Sequence, residues 1–96
     1  MTASKIVLVT GANTGLGLEI VRALCRSNTP YEILLASRSL SKGEAAVETV
    51  KNEIPASSST VSAVQLDVSD EESITNAYRT ISTKYDRLDA LINNAG

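Results

Sequence analysis

The chain has 96 residues, a formal net charge of −2, 43% apolar residues and 21% charged ones. That balance suits one small globular domain and excludes the basic surface that nucleic acid or an anionic membrane would require. With no histidine and a single cysteine, no transition-metal site, internal disulfide or histidine-based triad can be assembled. No apolar run reaches the ~18 residues of a membrane span and no signal-peptide pattern opens the chain, so the expected compartment is the cytoplasm.

Seven elements are predicted in alternation. A first strand covers Lys5–Thr10, and a first helix runs from Gly15 to Ser27, with Leu16, Ile20, Ala23 and Leu24 on its apolar face. Glu19, Arg22 and Arg26 fall on its polar face, the arginines late in the helix where positive charge suits the dipole. Cys25 reads as a small core residue. Asn28-Thr29-Pro30 stops the helix, and Tyr31–Ser37 forms a second strand whose run Ile33-Leu34-Leu35-Ala36 is that of a strand buried on both faces.

Two capping boxes mark the remaining helices. Ser41-Lys42-Gly43-Glu44 opens the second, with Leu40 placed to staple against Ala45, and Ala46, Val47, Val50 and Ile54 face inward. Ser69-Asp70-Glu71-Glu72 opens the third, whose inner face carries Ile74, Ala77, Tyr78 and Ile81. Between them, residues 55–60 read as a polar, exposed and mobile loop, followed by a third strand at Val61–Leu66. A fourth strand is predicted at Leu88–Ile92.

Strand–helix alternation of this kind implies an α/β fold with parallel strands and right-handed crossovers. The expected architecture is the N-terminal half of a Rossmann doubly wound fold, with four parallel strands in the order 3-2-1-4 and three helices. Ligands in such folds bind at the carboxyl ends of the strands where the winding reverses.

The turn Gly11-Ala12-Asn13-Thr14-Gly15-Leu16-Gly17 lies at that end of the first strand. Gly11 permits a sharp exit from the strand. Gly15 and Gly17 let a helix N-terminus approach both phosphates and sheet, since no side chain stands between them. Three glycines alone are a weak signal; after a strand and before a helix they point to a nucleotide pyrophosphate.

Thr10 to Gly17 and Asn93-Asn94-Ala95-Gly96 resemble the two N-terminal signatures of the short-chain dehydrogenase/reductase family, and Leu66-Asp67-Val68 resembles its adenine-contacting segment. Ala36-Ser37-Arg38 leans towards carbonyl-reductase-like members that use NADP(H). The resemblance implies that Gly11, Asn13, Thr14, Gly15, Leu16 and Gly17 line the phosphates and ribose. It further implies that Ser37 and Arg38 meet the adenosine 2′ position, and Asp67 and Val68 the adenine ring. Asn94, Ala95 and Gly96 would lie beside the nicotinamide-side ribose, with Asn93 and Asn94 also holding the fourth strand to its neighbours. For Asp67 a solvated capping carboxylate is the competing reading.

Cofactor preference is also written in the residues. NAD-preferring sites place a carboxylate about 20 positions beyond the glycines. Ser37 stands there, followed by Arg38, and no Asp or Glu lies between Ile33 and Lys42.

The family's catalytic serine, asparagine and Tyr-x-x-x-Lys pair follow its Asn-Asn-Ala-Gly segment. Four residues beyond Tyr31, Tyr78 and Tyr85 stand Leu35, Ser82 and Asp89, so no tyrosine here is paired with lysine in that way. No catalytic residue is assigned, and residues 1–96 are expected to be an NAD(P)-binding half-domain, a fragment of a longer single-domain enzyme and inactive alone. The complete protein would transfer hydride between NADPH and a small-molecule ketone or aldehyde (or the corresponding alcohol). The alternative is a truncated, non-catalytic module that binds a nucleotide or a partner. No nucleic-acid or membrane partner is expected, and an oligomer is compatible with the sequence but not readable from it.

Overall fold

Runs of apolar residues too short for helices alternate with amphipathic stretches, and the secondary structure follows them. In order, the elements are β1 (Lys5–Val9), α1 (Gly15–Arg26), β2 (Tyr31–Ser37), α2 (Leu40–Glu53), β3 (Thr60–Gln65), α3 (Glu71–Tyr85) and β4 (Ala90–Ile92). The structure is a computed structural model and describes residues 4–94. The strands form one parallel sheet in the order β3-β2-β1-β4, with Val7 opposite both Ile33 and Ala90 and Leu35 opposite Ala63. This is the expected 3-2-1-4 half of a doubly wound fold. Among the described residues no helix is long and apolar enough to cross a membrane.

Alternate residues of the strands feed two separate cores, as the pleat requires. Val7, Val9, Ile33, Leu35 and Val61 pack with Val21 and Cys25 of α1 and with Ala46, Val47 and Val50 of α2. On the opposite face Ile6, Leu8, Leu34 and Ala36 pack with Leu66 and with Ala77 and Ile81 of α3. Parallel strands must be buried on both faces. Two helices cover the first face and one covers the second.

Several local expectations are corrected. The buried stripe of α1 is Gly17, Val21 and Cys25, with Ile20 and Leu24 partly buried beside it. Leu16 is 70% exposed, and Ala23 is exposed too. The stripe is rotated because the close approach of Gly17 to the turn fixes which side of the helix meets the sheet. Helix α2 begins two residues before the predicted box: Ser39 is its N-cap, its Oγ accepting the Lys42 N–H at 3.4 Å. Leu40 thereby becomes the first helical residue and is 41% exposed. At α3 the cap is Asp70, accepting from the Glu72 N–H at 3.0 Å, not Ser69. Ile74 and Tyr78 are also exposed, Tyr78 by 71%, since α3 turns only its Ala77–Ile81 stripe to the sheet.

The polar loop at residues 55–60 is pinned rather than merely solvated. Ser57 Oγ donates to the Cys25 carbonyl at 2.7 Å, and Ser59 Oγ accepts the Tyr31 N–H at 2.9 Å. Helices α1 and α2 are joined at the surface by Arg22, which pairs with Glu53 at 2.8 Å and also with Glu19. Cys25 is buried as expected, and that burial pushes its thiol pKa up.

Strand β4 is shorter than predicted, beginning at Ala90, and the residues before it hold it in place. Asp89 accepts the Ile6 N–H on Oδ2 at 2.7 Å while its own N–H donates to the Ile6 carbonyl at 2.9 Å. Arg87 pairs with the same carboxylate at 3.0 Å and donates to the Ser4 carbonyl at 2.8 Å. Chiefly the Ile6 N–H, and then Arg87, hold the Asp89 carboxyl below the usual carboxylate range.

A carboxylate whose folded pKa is depressed stabilises the fold above its unfolded pKa of about 3.9 and loses that contribution as pH falls through the folded value. Asp89→Ala is therefore expected to lower the melting temperature near neutral pH and to flatten its decline below about pH 5. Circular dichroism melts across that range are the measurement. Parallel pH curves for variant and wild type would show that the clip contributes nothing.

Candidate functional site

The turn from β1 into α1 is built from backbone in close contact. Gly11 and Gly15 both take positive φ, +56° and +60°, a region costly for residues with a Cβ. Gly17 then lies against the turn itself: a Cβ there would stand 2.4 Å from the Gly11 carbonyl oxygen, 2.7 Å from Asn94 Nδ2 and 2.9 Å from Ala12 Cα. The Thr14 N-cap makes no side-chain bond to the helix, in contrast with Ser39 and Asp70 at the other two. Its first-turn N–H groups, and the positive end of the dipole, suit an anion.

The ends of β1 and β4 are sewn together beside this turn. The Thr10 N–H donates to the Ile92 carbonyl at 3.0 Å, and the Thr10 hydroxyl donates to Asn93 Oδ1 at 3.0 Å. That same hydroxyl accepts the Asn94 N–H at 2.9 Å, while Asn94 Nδ2 donates to the Gly11 carbonyl at 3.2 Å. Asn93 and Asn94 thus hold β4 to β1. Asn94 also braces the glycine turn from behind.

Above the carboxyl ends of β1, β2 and β3 lies a cleft of about 280 Å³. Of the residues singled out in the sequence, Gly11, Asn13, Thr14, Ser37, Arg38 and Val68 line it. Ser37 is 2% exposed and its hydroxyl accepts the Ser39 N–H at 3.3 Å, so it shapes the loop that carries Arg38. Leu16 projects into solvent from the first turn of α1. Ala95 and Gly96 lie outside the described residues.

Asp67 stands on the other side of Arg38, in a polar cleft with Gln65, Asp70, Glu72, Ser73 and Asn76. Its Oδ1 accepts both the N–H and the hydroxyl of Ser69, at 3.0 and 2.6 Å, and these bonds hold its carboxyl below the usual range. It closes a local turn before α3, and the helix cap itself falls to Asp70.

Lys42 and Ser39 also line the main cleft, and sequence reasoning missed both. Ser39 caps α2 and its Oγ receives the Lys42 N–H, so one residue sets the start of the helix and the place of the lysine. A signal was available. Lysine in the first turn of a helix opposes the macrodipole, and no acidic residue occupies that turn of α2. Two cations at a helix N-terminus are unfavourable together unless an anion joins them. The arrangement can grip a phosphate through charge-assisted bonds, with the glycine turn close by for a second anionic group.

Comparison with known proteins points to one family. Residues 5–96 match the family model described as short chain dehydrogenase. The chain is 38% identical over 96 residues to short-chain dehydrogenase/reductase tropE of Talaromyces stipitatus, covering all of this chain and 36% of that protein. Carbonyl reductase (NADPH) 1 of Macaca fascicularis is 39% identical over 92 residues, covering 96% of this chain and 31% of its own length. Among solved structures, menthone neomenthol reductase from Mentha piperita superposes with a TM-score of 0.82 at 35% identity, over 99% of this chain and 32% of that one. The chain therefore spans about a third of the length of the relatives it matches.

Gly17→Ala tests the turn directly. The added methyl meets backbone, which cannot swing aside, so α1 must move away from the sheet. The expected cost is about 1–3 kcal/mol in urea unfolding, with loss of affinity for dinucleotide. Unchanged stability and binding would show that the turn has slack the contacts deny.

Proposed function

The chain belongs to the short-chain dehydrogenase family, and from that membership we propose that it forms the NADP(H)-binding half of a reductase acting on small ketones or aldehydes. The observation that carries this reading is the convergence of Arg38, Lys42 and the Ser39-capped start of α2 on one cleft beside the glycine turn. A cofactor 2′-phosphate is the anion that such a cleft fits, with the pyrophosphate at the N-terminus of α1. No carboxylate stands at the end of β2 to hold an unphosphorylated ribose. That one relative carries NADPH in its name supports the same choice.

Each part of the site has a distinct task in this reading. Gly11, Asn13, Thr14, Gly15 and Gly17 receive the phosphates and ribose, Arg38 and Lys42 bind the 2′-phosphate, and Val68 offers an apolar edge to the adenine. Asp67 serves the same ring through the loop it closes. Leu16, exposed on the first turn of α1, stands with that phosphate and ribose group, and Asn94, Ala95 and Gly96 belong with the nicotinamide-side ribose. The bound cofactor would supply hydride to a carbonyl carbon, and these residues fix where it lies.

The same reading makes residues 1–96 a half-domain. An apolar groove of about 480 Å³ runs between α3 and β4, lined by Leu8, Ile74, Tyr78, Leu88 and Leu91 among others, and among the described residues β4 leaves one edge of the sheet unpaired. A right-handed crossover continuing from β4 would lay its helix in that groove. No tyrosine in the chain stands four residues before a lysine. We place the proton donor for the carbonyl outside these residues, so that the chain binds cofactor without turnover.

Calorimetric titration with NADPH and NADH is the test. Arg38→Ala and Lys42→Ala are each expected to weaken NADPH by about 1–2 kcal/mol, the scale of a charge-assisted hydrogen bond at an exposed site. NADH binding should barely move. Equal losses for both cofactors, or a wild-type preference for NADH, would overturn the assignment.

A further inference from the structure

Arg38 stands on a ridge between two clefts of opposite charge. On one side is the basic cleft with Lys42 and the start of α2. On the other, Gln65, Asp67, Asp70 and Glu72 surround a space of about 360 Å³ that Arg38 also lines. The two sides compete for one guanidinium, because a long, always-charged side chain rooted between them can satisfy itself with carboxylates as well as with a phosphate. Its charge already acts on Asp67, helping to lower that carboxyl, after the two bonds from Ser69.

The peptide from which Arg38 projects is itself held by side chains. Ser37 and Gln65 are the last paired residues of β2 and β3, and the Leu66 N–H still bonds the Ser37 carbonyl at 2.8 Å. One residue further on, the Arg38 carbonyl has left the ladder. It accepts instead the side-chain Nε2–H of Gln65 at 3.3 Å. From the other side, the Ser39 N–H is held by Ser37 Oγ. The short segment carrying Arg38 is thereby fixed at both ends.

We propose that Gln65 is a positioning residue for cofactor selectivity, tethering the Arg38 peptide so that the guanidinium is presented to the 2′-phosphate and not to Asp67, Asp70 and Glu72. It touches neither cofactor nor substrate and acts through Arg38. The proposal rests on the reading of the basic cleft as the 2′-phosphate site.

Titrations with adenosine 2′,5′-bisphosphate and with 5′-AMP separate the two claims. If the wild-type chain does not prefer the bisphosphate, the 2′-phosphate reading falls and the proposal with it. Given that preference, Gln65→Leu should weaken the bisphosphate about three- to tenfold, the range of one net hydrogen bond, and leave 5′-AMP within about twofold. Gln65→Glu, which cannot donate and adds a further carboxylate, should weaken the bisphosphate more. In an Arg38→Ala background Gln65→Leu should have no further effect, since the group it positions is gone. Gln65 is exposed, so all variants should melt as wild type does. Equal weakening of both nucleotides, or full additivity with Arg38→Ala, would overturn the role while leaving the 2′-phosphate site standing.

Discussion

The structure depends on an approach of backbone to backbone, where Gly17 leaves no room for a side chain between itself, the Gly11 carbonyl and Asn94. This approach fixes three things together. The N-terminus of α1 is brought to the carboxyl end of β1, the helix is rotated so that Val21 and Cys25 face the sheet, and the end of β4 is drawn in through the Asn94 amide. A side chain at position 17 would separate all three. The turn is therefore at once a packing device and the place where a phosphate can come within reach of helix N–H groups.

Around that contact the electrostatics are arranged at some cost to local stability. A lysine in the first turn of α2 opposes the dipole, and Arg38 is set near it in the same cleft. Elsewhere the chain observes the ordinary rules: Asp70, Glu71 and Glu72 begin α3, Lys84 lies in its last turn, and Arg26 in the last turn of α1. The exception coincides with the mouth of the glycine turn. Local violations of helix chemistry are expected to mark binding sites, since a ligand supplies the missing partner. The carboxylates beyond Arg38 then form the opposite wall, and the loop between β2 and α2 governs which wall the guanidinium meets.

Most of the architecture was legible from pattern. The run from Ile33 to Ala36 reads as a strand buried on both faces, the alternation of strand and helix yields the 3-2-1-4 sheet, and three glycines in context mark the tight turn from β1 into α1. Details governed by tertiary contact were not. Ser41 has the capping-box spacing to Glu44 whereas Ser39 has Lys42 at that position, so the sequence pattern pointed to Ser41 while the helix is capped by Ser39. Tyr78 and Ile74 fit an inner face by spacing, yet α3 is covered on one narrow stripe because the groove beside it lies open. Lys42 escaped notice because a lysine on a helix usually reads as solvated surface. With the helix opened at Ser41, Lys42 is still in the first turn, but Glu44 falls there too and masks the conflict with the dipole. Asp67 was matched by motif, while the structure shows its carboxylate already engaged by Ser69.

On the proposed reading the carboxyl ends of β1 to β3 form a dinucleotide site in which the glycine turn and the Arg38–Lys42 pair act on the same ligand. Backbone amide shifts of the isotope-labelled chain during titration with NADP(H) test it most directly. Saturable changes are expected at residues 11–17, 37–42 and 66–68, with little at the far end of the sheet around Cys25 and Ser57. Changes centred on that far end, or none at millimolar cofactor, would contradict it.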